Sequence, residues 1–188
     1  MKVLKTLPES DLVTFLQYGG IMTKHYLSHL EDTIIHKQLL LNSCWVMAQY
    51  LMSIGKSKLA LNLLRRAANH DNSKFYKKEI TNFSKLDTSR DDLKHTDNVM
   101  SNRVKELVKL HWKFNRHHPE HFASADEMKE IDIIEMVCDW HARSIQFKTN
   151  LMDFVTTQQQ ERFHFSPVVY EKVLHYVKVL IDSSTPNK

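Results

Sequence analysis

The doublet His70-Asp71 places an imidazole beside a carboxylate, where one run of helical periodicity ends and another begins. Within a regular helix, neighbouring side chains point about 100° apart, so the pair cannot act on one point from inside a helix. At a helix end the two side chains can converge. An imidazole nitrogen and a carboxylate oxygen suit a divalent transition metal, and Lys74 follows closely enough to meet an anion. The doublet therefore predicts a metal centre completed by other ligands.

Further polar side chains fall within apolar helical segments. His36 lies among isoleucines and leucines, so we expect its ring at the boundary of the core, where it needs a partner. His111 lies on the apolar stripe of its own helix. Asp132, Glu135 and Asp139 recur at offsets of three and four in a segment rich in isoleucine. Carboxylates in such a segment are costly to bury unless they are bound or paired.

A turn rich in histidine follows the helix that carries His111. It runs from Asn115 to His121 and includes His117 and His118 before a proline that stops the helix. Histidines are tolerated in a solvated turn, which is the alternative interpretation. The buried position predicted for His111, one turn before Asn115, favours a polar site.

Apolar periodicity predicts an all-α fold in a single domain over residues 1–182, with about seven helices and a disordered tail at 183–188. A capping pattern at Thr6 opens a short helix that ends at the Gly19-Gly20 break, and Ser84–Asp97 is predicted to be a loop. The other helices are predicted at about 22–52, 56–69, 75–83, 98–114, 125–145, 147–160 and from 167 onward. In the helix over 22–52, the stripe expected to face the core is Leu27, Leu30, Ile34, Leu41, Trp45 and Ala48.

Composition limits the classes of function. The 188 residues are 42% hydrophobic, and the 26 basic residues exceed the 22 acidic ones by four. Basic residues are interspersed with acidic ones, which favours small anionic ligands over duplex nucleic acid. The two cysteines, Cys44 and Cys138, are predicted to be buried reduced thiols. No secretory segment and no apolar run of roughly 18 residues is present, so we expect a cytoplasmic protein without a membrane span.

The order of the candidate ligands resembles that of the HD-domain superfamily of metal-dependent phosphohydrolases. The likeness covers roughly Asp32 to Trp140 and rests on His36, the His70-Asp71 doublet and Asp139. His70 to Lys74 is similar to the HDxGK box of that superfamily, with serine in the glycine position. The resemblance implies an HD-like helical domain in which these four residues hold a divalent ion such as Mn, Co, Ni, Zn, Mg or Fe, which activates water against a phosphate ester.

Three fragments show a closer resemblance to an uncharacterised family of phage and bacterial proteins of unknown function. They are His70–Phe75, Asn115–Glu120 and Glu135–Trp140. This second resemblance implies no particular reaction. If the chain is phage-encoded, the expected compartment is the cytoplasm of the host.

The chain has more histidines than a minimal HD phosphohydrolase needs. His111, His117 and His118 could supply a second metal with Asp71 as the bridge, as in the binuclear phosphodiesterase and di-iron oxygenase branches of the superfamily. The resemblance therefore leaves the number of metal ions at one or two.

The leading hypothesis is hydrolysis of a nucleotide-like or other small phosphate ester. Lys74 and Arg116 would clamp the phosphate, because positive groups stabilise developing negative charge. Glu135 or Asp132 would orient a ligand imidazole or act as a catalytic base, and Asn115 would contact the substrate.

Two alternatives keep the same polar residues. One is a di-iron oxygenase that uses the additional histidines. The other is a non-catalytic binding protein in which the residues form a structural metal site or a hydrogen-bond network. A homo-oligomer is compatible with the sequence, which does not identify the substrate.

Overall fold

The computed structural model describes the backbone of residues 9–75 and 98–184, and the side chains of residues 27–75, 105–106 and 108–183. The described residues form six α-helices and no strand, which confirms the predicted all-α class. The helices are α1 (Glu9–Ser53), α2 (Ser57–Asn69), α3 (Asn98–Phe114), α4 (Glu130–Phe147), α5 (Leu151–Gln158) and α6 (Pro167–Ser184). Thr6, the predicted loop over Ser84–Asp97 and most of the helix predicted at 75–83 lie outside the described residues.

Contacts divide the described residues into two compact units. One is drawn from Met1–Thr33 and Ser73–Leu107, and the other from Ile34–Asn72 and Val108–Lys188. The single domain over residues 1–182 therefore stays a prediction. All the predicted metal ligands belong to the second unit.

Helix α4 forms the centre of the second unit. Every residue from Ile131 to Ala142 is buried, and α4 packs against α2, α5 and α6. A helix that is buried on all sides carries its polar residues into the interior together with its apolar ones. Asp132, Glu135 and Asp139 are all buried in this way, so each needs a compensating charge or donor.

Helix α1 continues through the Gly19-Gly20 pair, so the predicted break there is wrong. A glycine inside a helix costs about 1 kcal/mol relative to alanine, mainly in backbone entropy. That cost weakens a helix without forbidding it. A helix of 45 residues therefore accommodates the pair.

The face of α1 that turns inward also differs from the predicted stripe. Ile34, Leu41 and Trp45 are exposed, with Trp45 exposing 53% of its surface, whereas Leu40 and Met47 are fully buried. The apolar residues of α1 are distributed around most of the helix circumference, so their spacing alone does not select the face that turns inward. The inward face of α1 is selected by its polar contacts with α4.

Two close polar pairs, one between His36 and Asp139 and one hydrogen-bonded pair between Ser43 and His141, hold α1 against α4. His36 Nε2 lies 2.8 Å from Asp139 Oδ1, and Ser43 Oγ lies 2.9 Å from His141 Nδ1. All four side chains are buried. Because a buried polar group without a partner is costly, the side of α1 with His36 and Ser43 must face α4. Leu40, which lies between them, is carried into the core.

The start of α4 differs from its prediction as well. The Ser124 side chain accepts a hydrogen bond from the Asp126 amide and caps only the short 3-10 turn Ala125–Glu127. The long helix begins at Glu130, where Asp132 Oδ2 accepts from the Lys129 amide at 3.1 Å. The capping pattern at Ser124 thus belongs to a separate turn.

The two cysteines are buried and unlinked, as predicted from their apolar surroundings. Burial raises the pKa of the Cys138 thiol well above its usual value, and the neighbouring Cys44 acts in the same direction. The Cys138 thiol is therefore a packing residue of low reactivity. Among the described helices, none is both long enough and apolar enough to cross a membrane.

Candidate metal centre

The His70-Asp71 doublet lies at the end of α2, where a helix termination turns both side chains inward. His70 leaves the helical conformation, with φ −54° and ψ 130°, and Asp71 adopts a left-handed φ of 51°. Such a φ is uncommon for a residue with a Cβ. The Lys37 ammonium donates to the His70 carbonyl at 3.1 Å and to Asn72 Oδ1, which holds the turn. Both doublet side chains are buried together, as the helix-end position predicts.

One group of three potential ligand atoms comes from His36, His70 and Asp139. Asp139 Oδ1 lies 2.8 Å from His36 Nε2 and 3.7 Å from His70 Nε2. The three residues come from α1, the end of α2 and α4. Their ligand atoms all lie within 4.8 Å of one another, which is close enough for one ion to reach all three.

A second group contains Asp71, His111, His117 and His118, and its ligand atoms also lie within 4.8 Å of one another. Asp71 Oδ1 is 3.3 Å from His111 Nε2 and 3.6 Å from His117 Nε2. The imidazoles come from the last turn of α3 and from the following turn. The turn rich in histidine is thus drawn into the interior at His117 instead of being fully solvated.

Asp71 lies between the two groups. Its Oδ2 is 3.5 Å from His70 Nε2 in the first group, while its Oδ1 faces the imidazoles of the second. A carboxylate can bind two ions through its two oxygens. The two oxygens of Asp71 therefore face one potential ligand group each.

The nitrogen atoms of the cluster fit a metal. Among the described residues, neither His70 Nε2 nor His117 Nε2 has a hydrogen-bond partner, although both atoms are buried. The other nitrogen of His70, Nδ1, lies 3.0 Å from Glu135 Oε1. A metal-ligating histidine usually donates one ring N–H to a carboxylate and directs its other ring nitrogen towards the remaining metal ligands. His70 has this arrangement, because its Nε2 faces the carboxylates of Asp71 and Asp139. Buried His, Asp and Glu side chains here could hold a metal ion.

The charges of the cluster shift its pKa values in opposite directions. Burial by itself lowers the pKa of His70, but the carboxylates of Asp71, Asp139 and Glu135 outweigh it and raise the pKa to about 10. Burial and the neighbouring His70 and His118 hold the pKa of His117 well below its usual value. The His70 and His117 rings lie 4.1 Å apart, so a proton on one disfavours a proton on the other. The negative charge of the three carboxylates therefore favours a cation beside the His70 ring.

Arg66 is a residue of this region that the sequence analysis missed. Its Nη1 lies 2.6 Å from Asp132 Oδ1, and its Nε lies 2.5 Å from Glu135 Oε2. Arg66 precedes His70 by four residues, so both lie on one face of α2. That spacing, together with acidic side chains three residues apart on α4, is a signal by which sequence reasoning could have found it.

Other predicted site residues contact side chains around the cluster. Asp132 is engaged through both oxygens, because Oδ2 also lies 3.3 Å from Arg116 Nη2. The Asn115 amide donates to the His111 carbonyl at 2.8 Å and lies 3.2 Å from His111 Nδ1. Lys74 is half-buried and belongs to the first unit, and its role in substrate binding stays a prediction.

The comparisons with known proteins identify a family without a described activity. The model of a family of unknown function (DUF5662) matches residues 25–178, which is most of the chain. This match agrees with the resemblance to an uncharacterised family and includes every candidate ligand. No HD-domain match was found. No curated protein and no solved structure matches the chain.

Proposed function

The chain belongs to the family of unknown function DUF5662, and because that description gives no reaction, we propose a function from the site itself. We propose a metal-dependent phosphohydrolase that acts on a small phosphate ester and uses two divalent ions. The observation that carries this proposal is the position of Asp71, whose two oxygens face different sets of imidazole nitrogens. A shared carboxylate between two nitrogen-rich groups is a typical feature of binuclear hydrolytic sites.

The ligands divide between the two ions according to these distances. His36, His70 and Asp139 would hold one ion, and His111, His117 and His118 would hold the other, with Asp71 binding both. When bound, such ions supply a water activated near neutral pH and positive charge beside a phosphoryl oxygen. The similarity of the ligand order to the HD-domain superfamily supports the same assignment.

The charges of the site favour an anionic substrate. Arg66 and Arg116 pair with Asp132 and Glu135, so the two positive charges and the two negative charges of these side chains cancel. Two divalent ions would then bring four positive charges against the two negative charges of Asp71 and Asp139. Lys37, whose ammonium binds the His70 carbonyl, adds one more positive charge. A phosphate group compensates this excess, whereas a neutral substrate does not.

Glu135 and Asp132 of α4 differ in the role that their contacts suit. Glu135 accepts the N–H of His70 and orients that ring. Asp132 is fully buried and ion-paired at both oxygens, which suits an anchor for Arg66 and Arg116 better than a catalytic base. Arg116 exposes 45% of its side chain, so its guanidinium can contact Asp132 and a substrate phosphate together. Substrate binding by Lys74 and Asn115 stays a prediction from the sequence.

Metal content and hydrolysis measured on the same preparations test the proposal. We expect two equivalents of Mn, Co, Ni, Zn or Fe by plasma mass spectrometry in protein purified without chelator or affinity metal. After reconstitution, we expect hydrolysis of p-nitrophenyl phosphate, its bis ester or a member of a nucleotide panel. Protein that holds two ions and hydrolyses none of these esters would contradict the phosphohydrolase proposal.

Single ligand substitutions should separate the two ions. In His36→Ala we expect loss of the first equivalent, and in His117→Ala loss of the second, because His36 is a ligand of the first group and His117 of the second. His117 also lies close to His70 and Glu135, which form a third possible group with it. Turnover should fall by about a thousandfold in both, since the charge stabilisation by a bound ion is worth several kcal/mol. His164→Asn is the matched control, because His164 is exposed and its left-handed backbone suits asparagine. Retention of both equivalents in His117→Ala would contradict the second group.

The donor set supports a di-iron oxygenase as the second candidate. Five imidazoles and two carboxylates surround the two positions, and imidazole nitrogen suits iron as well as zinc or nickel. This candidate predicts oxygen consumption by the Fe(II) form, measured with an oxygen electrode in the presence of a candidate substrate. A binding protein instead predicts that metal raises the melting temperature while neither reaction occurs.

A further inference from the structure

Two imidazoles at the centre of the cluster lie side by side, with their planes tilted by 34°. The His70 and His117 rings are 4.1 Å apart; His70 belongs to the first candidate metal group and His117 to the second, and the two also form a third possible group with Glu135. His70 Nε2 faces Asp71 Oδ2 and Asp139 Oδ1, at 3.5 Å and 3.7 Å. His117 Nε2 faces Asp71 Oδ1 and Asp139 Oδ2, at 3.6 Å and 4.0 Å. The two rings thus present equivalent nitrogens to the same two carboxylates.

The opposite nitrogens of both rings face a single oxygen atom. Glu135 Oε1 lies 3.0 Å from His70 Nδ1 and 3.8 Å from His117 Nδ1. Glu135 therefore hydrogen-bonds the His70 ring and contacts the His117 ring only electrostatically, so its displacement acts directly on the first group and more weakly on the second. A carboxylate that orients a ligand imidazole usually affects metal affinity by about 10- to 100-fold.

Arg66 holds Glu135 from the other side. It binds Glu135 Oε2, the oxygen that does not face the imidazoles, and it also binds Asp132 three residues earlier on α4. The Arg66 side chain exposes 22% of its surface, and the two carboxylates are almost fully buried. The planar guanidinium reaches both carboxylates at once, which a lysine ammonium cannot do in the same geometry.

We propose that Arg66 is a positioning residue that acts through Glu135 on both metal groups, so that the two ions bind with coupled affinities. The inference rests on the proposed binuclear site, but it concerns metal binding and not the reaction. Removal of Arg66 lets Glu135 shift, so His70 loses its hydrogen bond and His117 loses its electrostatic contact with the same oxygen. The affinities for both ions fall together, whereas removal of a ligand abolishes one equivalent.

Titration with Co²⁺ tests the inference, because the ion reports its ligand geometry in its visible absorption spectrum and no turnover is needed. The variants are Arg66→Met, Arg66→Lys and Glu135→Gln, measured beside the wild type. The matched control is Arg65→Met, since Arg65 is an exposed neighbour on the same helix. We expect both equivalents to remain in all variants and both to bind about 10- to 100-fold more weakly in Arg66→Met and Glu135→Gln. Arg66→Lys should recover only part of the affinity.

The outcomes separate this inference from the proposed function. A wild type that binds two Co²⁺ but hydrolyses no ester in any metal form would contradict the proposed function. The effect of Arg66 on Co²⁺ affinity could still be measured in that protein. Loss of one whole equivalent in Glu135→Gln would make Glu135 a ligand and overturn the inference. So would a lower melting temperature in Arg66→Lys and Arg66→Met with unchanged Co²⁺ affinities and spectra, which is the signature of a structural role alone. A wild type that binds no Co²⁺ overturns both.

Discussion

Replacement of Asp71 by alanine is expected to remove both metal equivalents and to lower phosphate ester turnover by at least about a thousandfold. The reason is that the Asp71 oxygens face both candidate groups and lie nearer to the imidazoles of the second group, at 3.3 and 3.6 Å, than Asp139 Oδ2 does, at 4.0 Å. Loss of any other ligand leaves one group complete. Metal content and turnover measured on the same preparation check this result.

The backbone at Asp71 complicates the alanine variant. Asp71 has a φ of 51°, which alanine adopts less readily than asparagine or glycine. Asp71→Asn is therefore the companion variant, because it keeps the shape and the turn but removes the charge. We expect Asp71→Asn to fold in the metal-free form and to lose the rise in melting temperature that metal gives the wild type.

An exposed carboxylate provides the control for Asp71. Asp182 lies on α6 and is exposed, so Asp182→Ala should retain both equivalents and normal turnover. Two equivalents of metal with full activity in Asp71→Asn would refute the shared-ligand assignment. Full activity in metal-free protein would refute any role of metal in the reaction.

The second large effect is on stability and concerns the face of α1. Leu40→Ala should lower the free energy of unfolding by about 2–5 kcal/mol, because Leu40 is fully buried and its truncation leaves a cavity. Leu41→Ala should change it by less than about 1 kcal/mol, because Leu41 exposes 39% of its surface. Urea denaturation of both variants, with metal removed, measures the difference.

The pair is a matched control because the two leucines are adjacent on one helix and undergo the same substitution. Equal destabilisation in both variants, or a larger loss in Leu41→Ala, would mean that α1 turns its predicted stripe inward after all. The comparison therefore tests the rotation of α1, and with it the direction of His36.

Much of the helical content follows from local patterns in the sequence. The helix predicted at 98–114 matches α3, and the cap and proline at Ser166-Pro167 mark the start of α6. Apolar residues at helical spacing and a proline in the first turn act within a few residues of one another. Such signals can be recognised without tertiary contacts.

The candidate ligands were also recognisable from residue type and position. Buried imidazoles and carboxylates in apolar segments are costly, so His36, Asp139 and the doublet at 70–71 stand out before any distance is known. The structure brings these four together and adds His111, His117 and His118 beside Asp71.

The tertiary structure alone decided which atoms face each other. The sequence determined the helices, the turn after α2 and a set of polar residues that require partners, because these depend on local spacing and on the cost of burial. It did not determine the rotation of α1 or the contacts of Arg66 with α4, and it offered the bridging position of Asp71 only through the resemblance to the HD-domain superfamily. These depend on pairs of atoms about 30 to 100 residues apart, such as Ser43 and His141. Their distances are set by how buried polar groups on packed helices satisfy one another.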